Sequence, residues 1–274
     1  MWHRVINVLI TLCAAACLSA CTSSTPSQHG EHMMPQTATD NGSLVTLLDG
    51  QVLRVGGDTS AAISIETTPT KDSAAPTPVY RSGRHRIDTP LPDGYPAPTP
   101  PGAIDLKRYP VVRRAEVVRS DNPDGALFGL IGGKNSAFWP LFRHIQSRDI
   151  PMTSPVEMNM SGAATDSSGS SDGTWKMSFL YRSPTLGPTG TAERGVIVRD
   201  AEAITVVSLG VSGQVDISDT QPALTTLRNW LASSGVWIES GPPRVLYYND
   251  PMTNPKWSEV QLPVSPRPAR EPTP

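Results

Sequence analysis

The residues best equipped for chemistry in this chain are soft ligands. Residues 150–160 read IPMTSPVEMNM and place Met152, Met158 and Met160 in one short run; thioether sulfur is a ligand for Cu(I) and for haem iron. A second cluster, HGEHMM, sets His29 and His32 beside Met33 and Met34. That composition can hold copper, although a polar tether produces it by chance as well. Between about residue 104 and residue 264 the only imidazole is His144, and no G-x-S-x-G accompanies it, so serine-type hydrolysis has no signature here. The stretch GLIGGKNS departs from a P-loop at two positions, with Phe128 where the leading glycine belongs and Asn135 in place of the Ser/Thr that binds magnesium. All three cysteines, Cys13, Cys17 and Cys21, fall in the first 21 residues, which leaves neither a disulfide nor a catalytic thiol to the mature chain. These residues describe a binding protein and not an enzyme.

The elements that would carry them follow from periodicity. After Pro155, residues Val156, Met158 and Met160 share one face at period two, so the last two read as adaptable core filler. Met152 stands outside that strand, at a helix-to-strand turn, and is the one methionine left for a bound ring. Ahead of it, NSAFWPLFRHIQS puts Phe138, Leu141, Phe142 and Ile145 at i, i+3, i+4 and i+7, a first helix capped by Asn135 or Ser136 with Pro140 in its first turn. His144 lies about 110° from the centre of that stripe, a flank or surface position. TWKMSFLY then reads as a strand. The order repeats with AITVVSLG, a helix over 221–234 striped by Leu224, Leu227 and Leu231 and stopped by Gly235, and the strands RVLYYN and WSEVQLPV. Two β-α-β-β halves predict an α+β fold, with antiparallel strands in a barrel-like sheet carrying two helices.

What precedes this body is of another kind. The chain has 274 residues with 28 prolines and 22 glycines, so much of it cannot be regular structure. Residues 1–20 have the layout of a secretory signal peptide, and Leu18-Ser19-Ala20-Cys21 resembles a lipobox, predicting lipidation of Cys21 and attachment to a membrane. Thr22 in place of Asp points to an outer membrane facing the periplasm. Residues 21–103 read as a tether containing a hairpin signal over 44–66 around Asp49-Gly50, with AAISIE as a third strand and YPAPTPP as polyproline spacer; 265–274 is a proline-rich tail. A net charge of -2 supplies no field for nucleic acid.

In order and spacing, FWPLFRHI, IPMTSPVEM, TWKMSFLY and YYNDPMTNPKWSEVQL resemble the SOUL haem-binding protein family. Met152 to Val156 match its M-T-x-P-V, and IDLKRYP resembles its first strand. The resemblance spans about 104–264. Gln146 to Asp149 stand where the family has Gly-x-Asn, and of its Arg-Asn-Glu-Val only Glu259 and Val260 remain. The resemblance implies a fold of two related halves and non-catalytic binding of haem or another tetrapyrrole along the first helix. The residues it points to are Trp139, Phe142, Arg143, His144 and Met152, with Arg143 or Arg148 meeting the propionates. Axial ligation is not shared across the family. The other reading is an interaction module of the same fold, for a different hydrophobic ligand or a protein partner.

Overall fold

The computed structural model describes residues 31–33, 44–68, 77–120, 137–160, 174–216 and 219–268. In chain order the first strands are β1 (Glu31–Met33), β2 (Val52–Gly57), β3 (Ile63–Thr68), β4 (Thr77–Ser82) and β5 (His85–Ile87). The body follows with β6 (Ala103–Tyr109), β7 (Val112–Arg119), α1 (Phe138–Ser147), β8 (Val156–Met160), β9 (Trp175–Leu180), β10 (Gly190–Thr191) and β11 (Ile197–Ala201). It ends with β12 (Ile204–Ser212), α2 (Gln221–Ser234), β13 (Trp237–Glu239), β14 (Arg244–Tyr247) and β15 (Trp257–Pro266).

The main sheet runs β10-β11-β7-β9-β8-β14-β15-β12-β6-β2, with β13 on the side of β15. In each half the third strand lies between the first and second: β9 between β7 and β8, and β15 between β12 and β14. The two expected β-α-β-β units, β7-α1-β8-β9 and β12-α2-β14-β15, thus meet at the antiparallel β8–β14 pair, Val156 opposite Tyr247. Antiparallel strands with two helices make this an α+β fold; among the described residues no pairing joins β10 to β2, so the expected barrel-like closure is not seen there.

Strict alternation gives the sheet two unlike faces. One face carries Leu106, Val117, Met158, Met177, Val207, Val245 and Val260 and is covered by α1 and α2 through Phe138, Leu141, Ile145, Leu224, Leu227 and Leu231. Met158 is the core filler its period predicted; the side chain of Met160 lies outside the described residues. Helix α2 has the expected bounds because Pro222 is tolerated in its first turn and Gly235, at φ 69°, ends it in the left-handed region. Helix α1 starts after Ala137 without a side-chain cap; the expected caps Asn135 and Ser136 lie outside the described residues.

The other face is where the N-terminal expectations need correction. Asp49-Gly50 does turn the chain, with Gly50 at φ 83°, yet residues 44–48 are not a strand and no hairpin forms. Strand β2 instead adds to β6 as the edge of the main sheet, since a lone hairpin is barely stable and an open edge was at hand. AAISIE does supply a strand, β3, but it pairs with β4 in a separate sheet ordered β1-β3-β4-β5. The proline-rich stretch is no spacer: Leu91, Pro92, Tyr95, Pro96, Pro98, Thr99 and Pro100 are buried. Residues 90–101 form a strap across the second face, where Leu91 and Tyr95 pack with Tyr109, Val206, Leu246, Tyr248 and Trp257.

Gly210 is where strap and sheet come closest. A Cβ there would stand 2.1 Å from the Pro100 carbonyl oxygen and 2.4 Å from that of Thr99; both are backbone atoms with no rotamer to yield. Gly210→Ala is therefore expected to cost about 1–3 kcal/mol, as overpacking of a tight contact does, and to loosen the strap selectively. Denaturant unfolding with hydrogen exchange at residues 95–102 checks this, and a loss confined to strands on the α1 side would contradict it.

Candidate functional site

Helix α1 is amphipathic with an aromatic shoulder. Phe138 is buried against Phe179, ring centroids 5.3 Å apart, and stacks on Phe142 at 5.7 Å. Trp139 and Phe142 are half-buried and meet edge to face at 5.8 Å. Arg143, one turn after Trp139, is exposed, and Met152, in the link to β8, is half-buried against the same core. Trp139, Phe142 and Arg143 thus share one shoulder of the helix, where Trp139 and Phe142 offer partly exposed apolar surface, and Met152 lies in the link that follows.

His144 is elsewhere than expected. Only 1% of it is exposed, in contrast to the flank or surface position that its helical angle predicted. The angle describes an isolated helix, whereas here Tyr181, just after β9, and the turn Glu193–Gly195 close over the flank. His144 Nε2 and the Tyr181 hydroxyl are 2.8 Å apart, while Nδ1 has no hydrogen-bond partner and stands 3.8 Å from Glu193 Oε1, too far for a firm bond. Burial, with help from the Arg148 guanidinium, pushes the imidazole pKa down, so the ring is neutral. Arg148 itself is committed to Glu193 by two bonds of 2.7 and 3.0 Å, and this pairing holds the Glu193 carboxyl down at about 2. Of the two arginines proposed for propionates, Arg143 has the freer approach.

The M-T-x-P-V signature proves to be a clasp. Thr153 Oγ1 donates to the Leu180 carbonyl at 2.5 Å and Ser154 Oγ to that of Tyr248 at 2.8 Å. The Ser154 amide donates to Pro90 O at 2.9 Å, at the start of the strap. Short polar residues appear here because they satisfy buried backbone groups of both halves at the seam. Of the HGEHMM cluster only residues 31–33 are described, as the backbone of β1 paired with β3; the remainder lies outside the described residues.

A second constellation was not read from sequence. Across the strap-covered face runs a row of acidic and basic side chains joined by hydrogen bonds. Arg199 bonds Glu116 at 2.7 Å, Arg114 bonds Glu157 at 2.7 Å, and Glu157 accepts from Arg244 at 3.1 Å. Arg244 donates to Gln261 at 2.8 Å, whose amide donates to Glu259 at 2.6 Å. Glu259 receives Lys107 Nζ at 2.8 Å, and Arg54 Nε reaches Asp105 at 2.5 Å. Glu259 also accepts from the Thr99 amide, the Ser208 hydroxyl and the Tyr248 hydroxyl. Lys107 and Glu259 have no exposed side-chain area. Burial pushes the Glu259 and Glu157 carboxyls up, but Lys107 for the first and Arg244 with Arg114 for the second outweigh it and hold both below the ordinary value. The signal was present in IDLKRYP and SEVQL as charged or polar residues at every second position, a pattern that otherwise marks a solvated strand face.

Solved structures that the chain resembles share little sequence with it. A cryo-EM structure of an EcmrR–DNA complex is 16% identical over 59% of this chain, at TM-score 0.43; only 56% of that longer protein is spanned. An uncharacterized conserved protein from Listeria innocua is 16% identical, covering 62% of this chain and 94% of that one, at TM-score 0.42. SAV2435 bound to tetraphenylphosphonium is 12% identical, over 58% and 92% of the two chains, at TM-score 0.33. No curated protein matches the sequence. The family profile described as SOUL heme-binding protein matches residues 99–263, from the strap's Thr99 amide that bonds Glu259, through the α1 shoulder and the Thr153-Ser154 clasp, to Pro263 within β15. Over more than half of its length, this chain belongs to the SOUL heme-binding protein family.

Proposed function

We propose that the chain is a lipid-anchored, non-catalytic tetrapyrrole-binding protein of the cell envelope, taking haem or a related ring against α1. The observation that carries this reading is the α1 shoulder: two half-buried aromatics, Trp139 and Phe142, in edge contact, with exposed Arg143 one turn on. A porphyrin offers an apolar plane and two carboxylates, which suit an aromatic ledge and a guanidinium. His144 backs the ledge from inside, and its bond to Tyr181 makes it a support for the helix and not the iron ligand. The reading is non-catalytic because Lys107, Glu157, Arg244 and Glu259 of the second face are buried and bonded to one another or to neighbouring side chains. The anchor rests on the LSAC sequence and Cys21, and an outer membrane facing the periplasm on Thr22.

Haemin titration of the full chain tests the reading. A shifted Soret band at micromolar affinity or better is expected, weakened at least about tenfold by Trp139→Ala with Phe142→Ala, and preserved in His144→Ala. No spectral change in the wild type, or a change indifferent to the aromatic pair, would sink the tetrapyrrole site; in that case another hydrophobic ligand or a protein becomes the occupant to seek. Membrane fractionation of Cys21→Ser is the arm for the anchor: release into the soluble fraction is expected, and retention would remove lipidation from the account.

A further inference from the structure

A cleft of about 500 Å³ opens where the small sheet meets the turn after β2. The β2–β3 turn contributes Asp58 and Ala61 to its lining, and the β4–β5 hairpin contributes Arg81 to His85; Ser64 and Pro101 line it as well. Of these residues only Pro101 falls within the family match over 99–263. The cleft is therefore a feature of this chain's N-terminal part, apart from the family fold.

Both sides are fixed before any ligand arrives. Arg54, 2% exposed and paired with Asp105, donates from Nη1 to the carbonyls of Asp58 and Ala61 at 3.0 and 2.9 Å. The hairpin turns through two residues, with Ser82 opposite His85 and Gly83 at φ 56°, the conformation for which such loops select glycine. His85 ties it to the main sheet: Nδ1 lies 3.2 Å from the Ser82 carbonyl and Nε2 2.9 Å from the Ser212 hydroxyl, while the ring meets Trp257 edge-on at 6.1 Å. Walls that need no ordering on binding are preorganised.

Two unspent charges of opposite sign face this cleft. Among the described residues Arg84, at the hairpin tip, makes neither an ion pair nor a hydrogen bond. Asp58 accepts through Oδ1 alone, from the Ser60 amide at 3.0 Å and the Ser60 hydroxyl at 2.6 Å, and both donors are neutral. Charges that line one cleft without pairing leave room for a molecule that carries both. Arg81 gives its Nε to Glu66 at 3.0 Å and keeps two terminal nitrogens, and the hydroxyls of Ser64 and Ser82 have no partner among the described residues. Two guanidinium groups and two hydroxyls offer more donors than a carboxylate's pair of oxygens can use, and suit the three oxygens of a phosphate.

We propose that this cleft binds a small zwitterion of the phosphoethanolamine type, with its phosphate on Arg84 and Arg81 and its ammonium on Asp58 Oδ2. Free phosphoethanolamine and the headgroup of a phospholipid share this chemistry. Helix α1 contributes nothing to the cleft, so the proposal stands apart from the tetrapyrrole reading.

Calorimetry on the full chain tests it, with O-phosphoethanolamine as the probe and with inorganic phosphate and ethanolamine as its two halves. The probe should bind at least about tenfold more tightly than either half. Arg84→Gln and Asp58→Asn, both at exposed positions, should each weaken it about tenfold, while Trp139→Ala with Phe142→Ala leaves it unchanged. Competition by vesicles of phosphatidylethanolamine then assigns the source: displacement of the probe supports a lipid headgroup, and its persistence supports the free zwitterion. No binding of the probe would mean no site. Phosphate binding as tightly as the probe, or binding indifferent to Asp58→Asn, would mean a surface for anions only, and any of these three results overturns the proposal.

Discussion

Lys107→Met is expected to destabilise the protein by about 3–5 kcal/mol, the range for breaking a buried ion pair on one side only. The cost falls on Glu259, which has no exposed area and takes Lys107 Nζ at 2.8 and 3.0 Å through its two oxygens. Methionine is close to lysine in volume, so little of the loss would come from packing. What remains is a carboxylate whose other partners, the Thr99 amide, Ser208 and Tyr248 hydroxyls and Gln261 amide, are neutral dipoles. Adding Glu259→Gln should return part of the loss, because replacing both ends of a buried pair is far cheaper than orphaning one. Urea unfolding of the two variants decides it. A single-variant loss below about 1 kcal/mol would mean that water reaches the pair, the regime of surface salt bridges.

Trp257→Ala is the second large effect, expected at about 3–5 kcal/mol as for other large-to-small changes in a core. Trp257 is fully buried among the strap-side residues, and its indole N–H donates to Thr99 O at 2.7 Å. Alanine would leave a cavity under the strap and orphan that carbonyl. Trp257→Phe should cost less, because it keeps most of the ring and loses chiefly the hydrogen bond, a matter of about 1–3 kcal/mol. The pattern to look for by hydrogen exchange is loss of protection in residues 95–102 ahead of the helix-side strands. Uniform loss across both faces would show that the strap is not an independent unit.

The two faces differ in how readable they were. The helix face announced itself, because Phe138, Leu141 and Ile145 on α1 and Leu224, Leu227 and Leu231 on α2 repeat at helical spacing, and each β-α-β-β unit must bury such a stripe against alternating strands. Gly235 and Pro222 marked α2 to the residue because both act locally, through φ and through a missing N–H. His144 was misplaced for the complementary reason: its burial comes from Tyr181 and the turn at Glu193, tens of residues away in the chain. The strap was misread because proline-rich composition speaks to local stiffness and not to what lies beneath it. YPAPTPP is rigid either as a spacer or as a cover, and only the apolar and charged face of the sheet decides between the two.

Alone, the sequence determined the α+β class, the two repeated halves, both helices, the place of Met158 in the core and the family, since each depends on periodicity or on a short contiguous motif. Tertiary structure alone decided that Asp105, Lys107, Glu157, Arg244 and Glu259 form one buried row, that residues 90–101 seal it, and that His144 faces inward. Alternation tells which residues share a face, but burial of that face is a property of whatever distant segment comes to lie on it, and ion pairs between strands far apart in sequence exist only once the sheet has chosen its order.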